Sequence, residues 1–161
     1  MSVRASRFKR RNEYIPCLPV TYRTNTNELR PLIDDLRRAA EGALLGVGYY
    51  EDDEYEMVYT RTDLYERYPA EKIDEIARDM VLEGLSDDHH ERLLYDFGGL
   101  SATIRSFDRG VTVHVPLDGR SGLGFGLDDP SLTLAGTLLD RCLAFADAHE
   151  EPGGNTALAD D

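Results

Sequence analysis

Cysteine is scarce in this sequence, and long apolar runs are absent. The 161 residues include two cysteines, Cys17 and Cys142, which are too few for a disulfide framework. Cys142 falls in an apolar helical pattern and is expected to be a small core residue. No run approaches the roughly 20 apolar residues of a membrane-spanning helix. A chain of this length buries about 70% of its unfolded surface on folding, so the sequence predicts a single domain. Because it has no long apolar run, the domain is predicted to be soluble and to have no membrane partner.

Lysine is also scarce. Only Lys9 and Lys72 are lysines, against 18 aspartates and a net charge of −13. Such a surplus of carboxylates is similar to the composition of proteins from halophilic archaea. Carboxylates keep a surface hydrated in molar salt, where the Debye length is only about 3 Å and self-repulsion is screened. The composition therefore predicts a haloarchaeal protein of a salt-rich cytoplasm, with an acidic body that disfavours binding to nucleic acid.

Basic charge is concentrated at the N-terminus. Residues 1–12 hold five basic side chains and no acid, and the rest of the chain carries −18. A basic arm on an acidic body is able to touch nucleic acid or an acidic partner. The stronger interpretations are a disordered basic tail over 1–25, or sequence ahead of an alternative start at Val20. Residues 150–161 are predicted to be a disordered acidic tail. The basic residues of the arm are Arg4, Arg7, Lys9, Arg10 and Arg11.

Hydrophobic periodicity predicts a single α+β domain over 26–149. Five strands and short connections indicate a mainly antiparallel five-stranded sheet with helices packed on it, in the order α-β-β-α-(α)-β-β-β-α. Asp129 is expected to cap the last helix, with Pro130 as its first residue. The predicted helices span 27–43, 69–85, 89–95 and 130–149, and the predicted strands span 45–50, 55–60, 100–107, 111–115 and 122–127.

The same periodicity predicts which side chains face the core. Each helix carries one apolar stripe, and each strand of the second half alternates. The expected helical core residues are Leu29, Leu32, Ile33, Leu36, Ala40, Ala43, Ile73, Ile76, Ala77, Met80, Val81, Leu85, Ala135, Leu138, Leu139, Cys142, Leu143 and Ala146. The expected strand core residues are Leu100, Ala102, Ile104, Val111, Val113, Val115, Leu123, Phe125 and Leu127.

This order of elements resembles that of roadblock, longin and profilin-like domains. Segments 28–36, 55–59 and 101–127 are also similar to a group of small haloarchaeal proteins that form a domain family of unknown function. The similarity extends over about 27–149. The order of elements implies a fold of the roadblock type, and the similarity to the haloarchaeal group carries no functional residues over to this chain.

Glycines and carboxylates are the first candidates for chemistry. The alternating glycines Gly122, Gly124 and Gly126 fail the spacing of a dinucleotide-binding loop and match a half-buried strand with one flat face. The acidic run 51–54 could suggest a metal site, but it lacks the alternating ligands and glycine of a calcium loop. A solvated hairpin turn is the favoured interpretation.

Histidines and arginines are the remaining candidates. His89 and His90 lie beside acids, but adjacent residues on a helix point about 100° apart and do not easily share one ion. His114 is expected on the non-core face of its strand, towards solvent, a covering helix or a partner. Ser121 lacks a nucleophile-elbow pattern. Three arginines near strand ends could bind an anion or form surface ion pairs: Arg105, Arg109 and Arg120.

No residue set reaches a catalytic, cofactor or metal motif, so the sequence predicts no such site. The leading hypothesis is a non-catalytic interaction or regulatory module that self-associates, with the glycine face as a contact surface and a homodimer or a protein as partner. The alternative is a nucleic-acid-associated regulator that uses the basic arm. A small-molecule-binding protein or an enzyme ranks last.

Overall fold

The computed structural model describes residues 9–10, 27–85 and 87–148. Most of the predicted tails 1–25 and 150–161 lies outside these ranges, so their disorder stays a prediction. The helices are α1 Arg30–Ala40, α2 Leu64–Arg67, α3 Ala70–Leu85, α4 Asp87–Leu93 and α5 Leu132–Ala148, with a 3-10 turn at Tyr95–Phe97. The strands are β1 Lys9–Arg10, β2 Leu44–Glu51, β3 Glu54–Thr60, β4 Thr103–Phe107, β5 Gly110–Pro116 and β6 Ser121–Leu127.

The strands form one sheet in the order β1-β3-β2-β6-β5-β4. All five predicted strands are present, and every pair among them is antiparallel. The two-residue β1, which belongs to the predicted basic tail, adds a parallel pairing beside β3. The centre of the sheet is the pairing of β2 with β6, two strands that lie far apart in sequence.

One face of the sheet is covered by α1 and α5, which build the main core. Leu36 of α1 and Leu138 and Cys142 of α5 are completely buried against inward-facing side chains of β5 and β6 such as Val115 and Leu123. Burial of one such leucine contributes roughly 1.5–3 kcal/mol. The predicted stripes of both helices are confirmed here.

The start of α5 differs from the prediction. The helix begins at Leu132, and the hydroxyl of Ser131 accepts a hydrogen bond from the Leu134 amide at 3.1 Å, as an N-cap residue does. Asp129 instead accepts from the Ser131 amide at 2.9 Å. The predicted cap was therefore placed two residues early, because both residue types satisfy helix amides.

The other face of the sheet is covered by α2 and α3. Tyr50 and Tyr55 from the hairpin, Leu64 from α2, and Ile73 and Ala77 from α3 form a second, smaller core. The sheet is thus buried on both faces at its centre, and β2 is buried at nearly every position. The domain therefore has three layers, with two helices on one side and the α2–α3 segment on the other.

Among the predicted core residues whose side chains the structure describes, two are exposed. Ile76 of α3 is 48% exposed and Ile104 of β4 is 43% exposed. Strand β4 begins at Thr103 rather than at residue 100, and it is the last strand of the sheet. The alternation correctly placed Ile104 beside the core residue Val113, but no helix of the described segments extends far enough to cover it.

The acidic run 51–54 is a hairpin turn, as predicted. Asp52 adopts a left-handed backbone, with a φ of 58°. Its carboxylate accepts two hydrogen bonds from the Arg120 guanidinium at 2.8 and 3.0 Å. An exposed pair of this kind contributes little to stability, but it joins the β2–β3 turn to the β5–β6 turn.

Candidate functional site

A groove of about 940 Å³ lies between α3 and the sheet. Its floor is formed by the middle of β5 and β6, and its walls come from α3 on one side and the β4–β5 turn on the other. Ile76 of α3 and Phe107 of β4, which are 48% and 56% exposed, both line it. This is the size of cleft in which proteins bind small molecules.

The glycine face of β6 forms part of the floor, and it is less flat than predicted. The ring of Tyr50 lies over Gly122, where an added Cβ would lie 2.6 Å from the tyrosine hydroxyl oxygen. The side chain of Met80 lies in contact with Gly124. A Cβ at Gly126, by contrast, would meet no atom of the described residues within 4 Å. The predicted contact surface is therefore open only at Gly126.

A polar network lies beside the groove, buried at Tyr50 and His114 and exposed at Arg105 and Asp79. The Tyr50 hydroxyl oxygen and His114 Nε2 are 2.9 Å apart and hydrogen-bonded. His114 Nδ1 lies 3.2 Å from Glu83 Oε1, but the direction is poor and this nitrogen has no hydrogen bond within the described part of the chain. Arg105 of β4 contacts Glu83 and also donates to Asp79 at 2.9 Å.

Burial decides the charge states in this network. It lowers the pKa of His114 to about 4, and the nearby Arg105 guanidinium acts in the same direction. Burial also raises the pKa of Glu83, although Arg105 opposes this shift. The hydrogen bond to Asp79 is the main cause that raises the pKa of Arg105. His114 is therefore neutral at pH 7, and the network ties α3 to three strands.

The three candidate arginines do not come together. Arg105 and Arg109 line the groove, whereas Arg120 pairs with Asp52 near the other end of the sheet. Ser121 is buried at the start of β6, and its amide donates to Asp118 at 2.8 Å. No anion site is formed from all three arginines.

The candidate histidines do not form one site either. The exposed rings of His89 and His90 have centroids 5.7 Å apart and are tilted by 64°. Within residues 9–10, 27–85 and 87–148, no group of three or more histidine, cysteine or acidic side chains is arranged to hold a metal ion. His114 faces the covering helix, which was one of the three orientations left open by the sequence.

Three members of the network were not singled out by the sequence: Tyr50, Asp79 and Glu83. Tyr50 ends a run of β-forming residues, and Asp79 and Glu83 lie on a helix rich in acids, so none of them stands out from its neighbours. The contact between α3 and Tyr50 requires glycine at residue 84. A side chain at that position would collide with the Tyr50 hydroxyl and keep α3 away from the sheet.

Among the helices of the described segments, none has both the length and the apolar character needed to cross a membrane. None of the curated proteins matches the chain in sequence. Two solved structures of similar fold are MglB from Myxococcus xanthus and the gliding protein MglB from Thermus thermophilus. Both have a TM-score of 0.50 with this chain, at 11% and 10% identity. They cover 81% and 80% of this chain and 96% of their own chains.

A roadblock/LC7 domain from Streptomyces avermitilis has a TM-score of 0.46 at 11% identity, over 71% of this chain and 92% of its own. At such identities the likeness to MglB shows the fold alone, and the predicted roadblock-like α+β architecture is confirmed. A family model, described as a domain of unknown function and designated DUF7522, matches residues 30–147. The chain belongs to the DUF7522 family.

Proposed function

We propose that this protein is a non-catalytic interaction module that self-associates through the outer edge of β4. The observation that carries the proposal is an open strand edge with exposed apolar side chains on both of its faces. The geometry of that edge and its side-chain chemistry each support a homodimer, and the net charge determines how that homodimer would depend on salt.

The outer edge of β4 has no strand beside it in the part of the chain that the structure describes. The opposite edge of the sheet is lined by β1. An unpaired edge presents a row of backbone N–H and C=O groups that can hydrogen-bond to another strand. A second copy offers the same row, so antiparallel pairing of two β4 strands about a two-fold axis would satisfy both edges.

The side chains of β4 suit burial rather than solvent. Ile104 on the α5 face and Phe107 on the groove face are both about half exposed. Arg105, the one charged residue of the strand, is held by two carboxylates of α3. Proteins usually protect an open edge with charge or proline, and β4 has neither available. The segment that precedes β4 in the sequence exposes four more apolar side chains: Leu93, Leu94, Tyr95 and Phe97.

The net charge makes this association depend on salt. Two bodies that each carry −13 repel one another in dilute buffer, and molar salt removes most of that repulsion. Salt therefore should favour the dimer, whereas contacts with nucleic acid weaken as salt rises. The same argument supports a protein adapted to a salt-rich cytoplasm, with the acidic surface as its adaptation.

The test is sedimentation of the full chain in potassium chloride at about 1 M, where the screening length is about 3 Å. We expect a dimer that dissociates on dilution. Ile104→Asp should shift the chain to monomer, because it places a charge at the centre of the edge. Leu132→Asp is the matched control, since Leu132 is 57% exposed but lies at the start of α5. A chain that is monomeric at all concentrations, or two variants that behave alike, would refute the proposal.

A further inference from the structure

The proposed self-association through β4 does not explain two parts of the groove, the wall formed by α3 and the open floor at Gly126. Gly126 leaves the floor open, and the exposed Thr112 lies beside it in the neighbouring strand. Ile76 of α3 and Phe107 of β4 line the same groove. Apolar side chains on both sides of a bare stretch of backbone form a channel that fits a narrow apolar chain.

Met57 and Met80 also line the groove. Met80 contacts Gly124, and the methyl group of Met57 approaches Gly46 to 3.1 Å from the position of an added Cβ. Methionine is unbranched and adaptable, so these side chains can move to fit an apolar ligand without disturbing the backbone. Both methionines also approach Gly48 of β2, at 3.5 Å from the position of an added Cβ, so they make this side of the groove deformable.

Among the described residues, one cationic side chain that lines the groove is not paired with a carboxylate. Four cationic side chains line it, and three of them pair with carboxylates. Arg105 contacts Asp79 and Glu83. Among the described residues, the fourth cation, Arg109 of the β4–β5 turn, has no ion pair or hydrogen bond. The other two pairs are Arg67 with Asp128 at 3.2 Å and Lys72 with Glu75 at 3.2 Å.

We infer that the groove binds a single-chain amphiphile with one carboxylate, such as a long-chain fatty acid, with its chain over Gly126 and its head at Arg109. Arginine pairs with a carboxylate through two parallel hydrogen bonds, which neutralises both charges. Asp108, which neighbours Arg109, also lines the groove, whereas the carboxylate of Asp128 is already paired with Arg67. Asp108 would repel a doubly charged phosphate more strongly than a carboxylate, which favours the carboxylate head.

The test is calorimetric titration of the full chain with dodecanoate, dodecyl phosphate and dodecyltrimethylammonium, each below its micellar concentration, in about 1 M potassium chloride. We expect dodecanoate to bind one per chain, and at least tenfold more tightly than the other two. No binding of dodecanoate would overturn the inference. Equal or tighter binding of the cation or the phosphate would overturn the assignment of the head to Arg109.

Variants then locate the site. Arg109→Glu should weaken dodecanoate binding at least tenfold, because it replaces a charge-assisted hydrogen bond with repulsion. Arg38→Glu, an exposed residue of α1 on the far side of the sheet, is the control for charge alone. An equal loss in the two variants would mean that net charge and not the groove governs binding, which contradicts the site.

Gly126→Leu should abolish binding by filling the floor, whereas Gly136→Leu on α5 should not. Both glycines have open space at the Cβ position within the described residues, but Gly136 lies in the opposite helical layer. Circular dichroism shows whether each variant folds. If Gly126→Leu does not fold, Ile76→Asp at the exposed wall takes its place and should weaken dodecanoate binding at least tenfold. Undiminished binding in the folded variant would overturn the inference.

Discussion

Protonation of His114 should lower the stability of the fold between neutral and mildly acidic pH. Burial lowers the pKa of this residue from 6.5 to about 4. As pH falls below 6.5, the unfolded chain takes up a proton at this histidine while the native protein does not. The stabilising contribution is therefore complete above pH 6.5 and is lost progressively as pH falls towards 4.

The magnitude follows from the pKa shift. One pKa unit corresponds to about 1.36 kcal/mol, so the shift of His114 is equivalent to about 3 kcal/mol over the whole window. At pH 5, about 2 kcal/mol of the free energy of unfolding should be lost through this residue. Glu83 acts in the opposite direction, because its pKa is raised in the fold and it holds a proton more readily there.

The assay is urea unfolding monitored by circular dichroism in about 1 M potassium chloride. It is carried out near pH 7.5, above the range in which His114 affects stability, and near pH 5, where most of the loss has occurred. His114→Gln removes the titration and keeps a side chain able to accept from Tyr50. Its stability should therefore fall less than that of the wild type as pH is lowered, by about 2 kcal/mol. His90→Gln, at an exposed position, is the control and should follow the wild type. If wild type and His114→Gln lose stability in parallel, the burial argument is wrong.

Three further measurements address other features. Tyr50→Phe should lower the free energy of unfolding by about 1–3 kcal/mol in urea titrations, because it leaves a buried histidine nitrogen without its hydrogen bond; no measurable change would mean that the bond contributes nothing. Gly122→Ala should destabilise the chain more than Gly126→Ala, since only the first places a methyl group against Tyr50; thermal melts that rank them in the opposite order would contradict the packing. The melting temperature of the wild type should rise as potassium chloride is increased from about 0.05 to 1 M, and a flat or falling curve would show that the acidic surface is no adaptation to salt.

Periodicity was enough to predict most of the fold. The strands of both hairpins and the stripes of α1 and α5 follow patterns that depend on neighbours within a few residues, such as the alternation of Leu123, Phe125 and Leu127. Those patterns also gave the correct order of the longer elements, although they missed the four-residue helix α2 and the two-residue strand β1. The start of α5 was predicted two residues too early because Asp129 and Ser131 are both able to cap a helix.

The exposure of Ile104 and the network of the groove could not be predicted in this way. Alternation tells which face of a strand a side chain lies on, but not whether a helix covers that face at the edge of the sheet. The contact between Tyr50 and His114 joins residues 64 positions apart, and its formation depends on the path of α3 between them. The flat glycine face was predicted from β6 alone, and it is Met80 and Tyr50 from other elements that fill it.

The pairing of β2 with β6 has a consequence for how the protein is made. These two strands form the middle of the sheet, yet residues 44–51 must wait for residues 121–127 before they can pair. During synthesis the first half of the chain can form its β2–β3 hairpin and its helices, but the main core closes only after β6 and α5 have left the ribosome. Until then the apolar faces of α1 and β2 stay uncovered in the nascent chain. Such long-range pairing also slows folding, so the last third of the protein sets the moment at which the whole domain becomes stable.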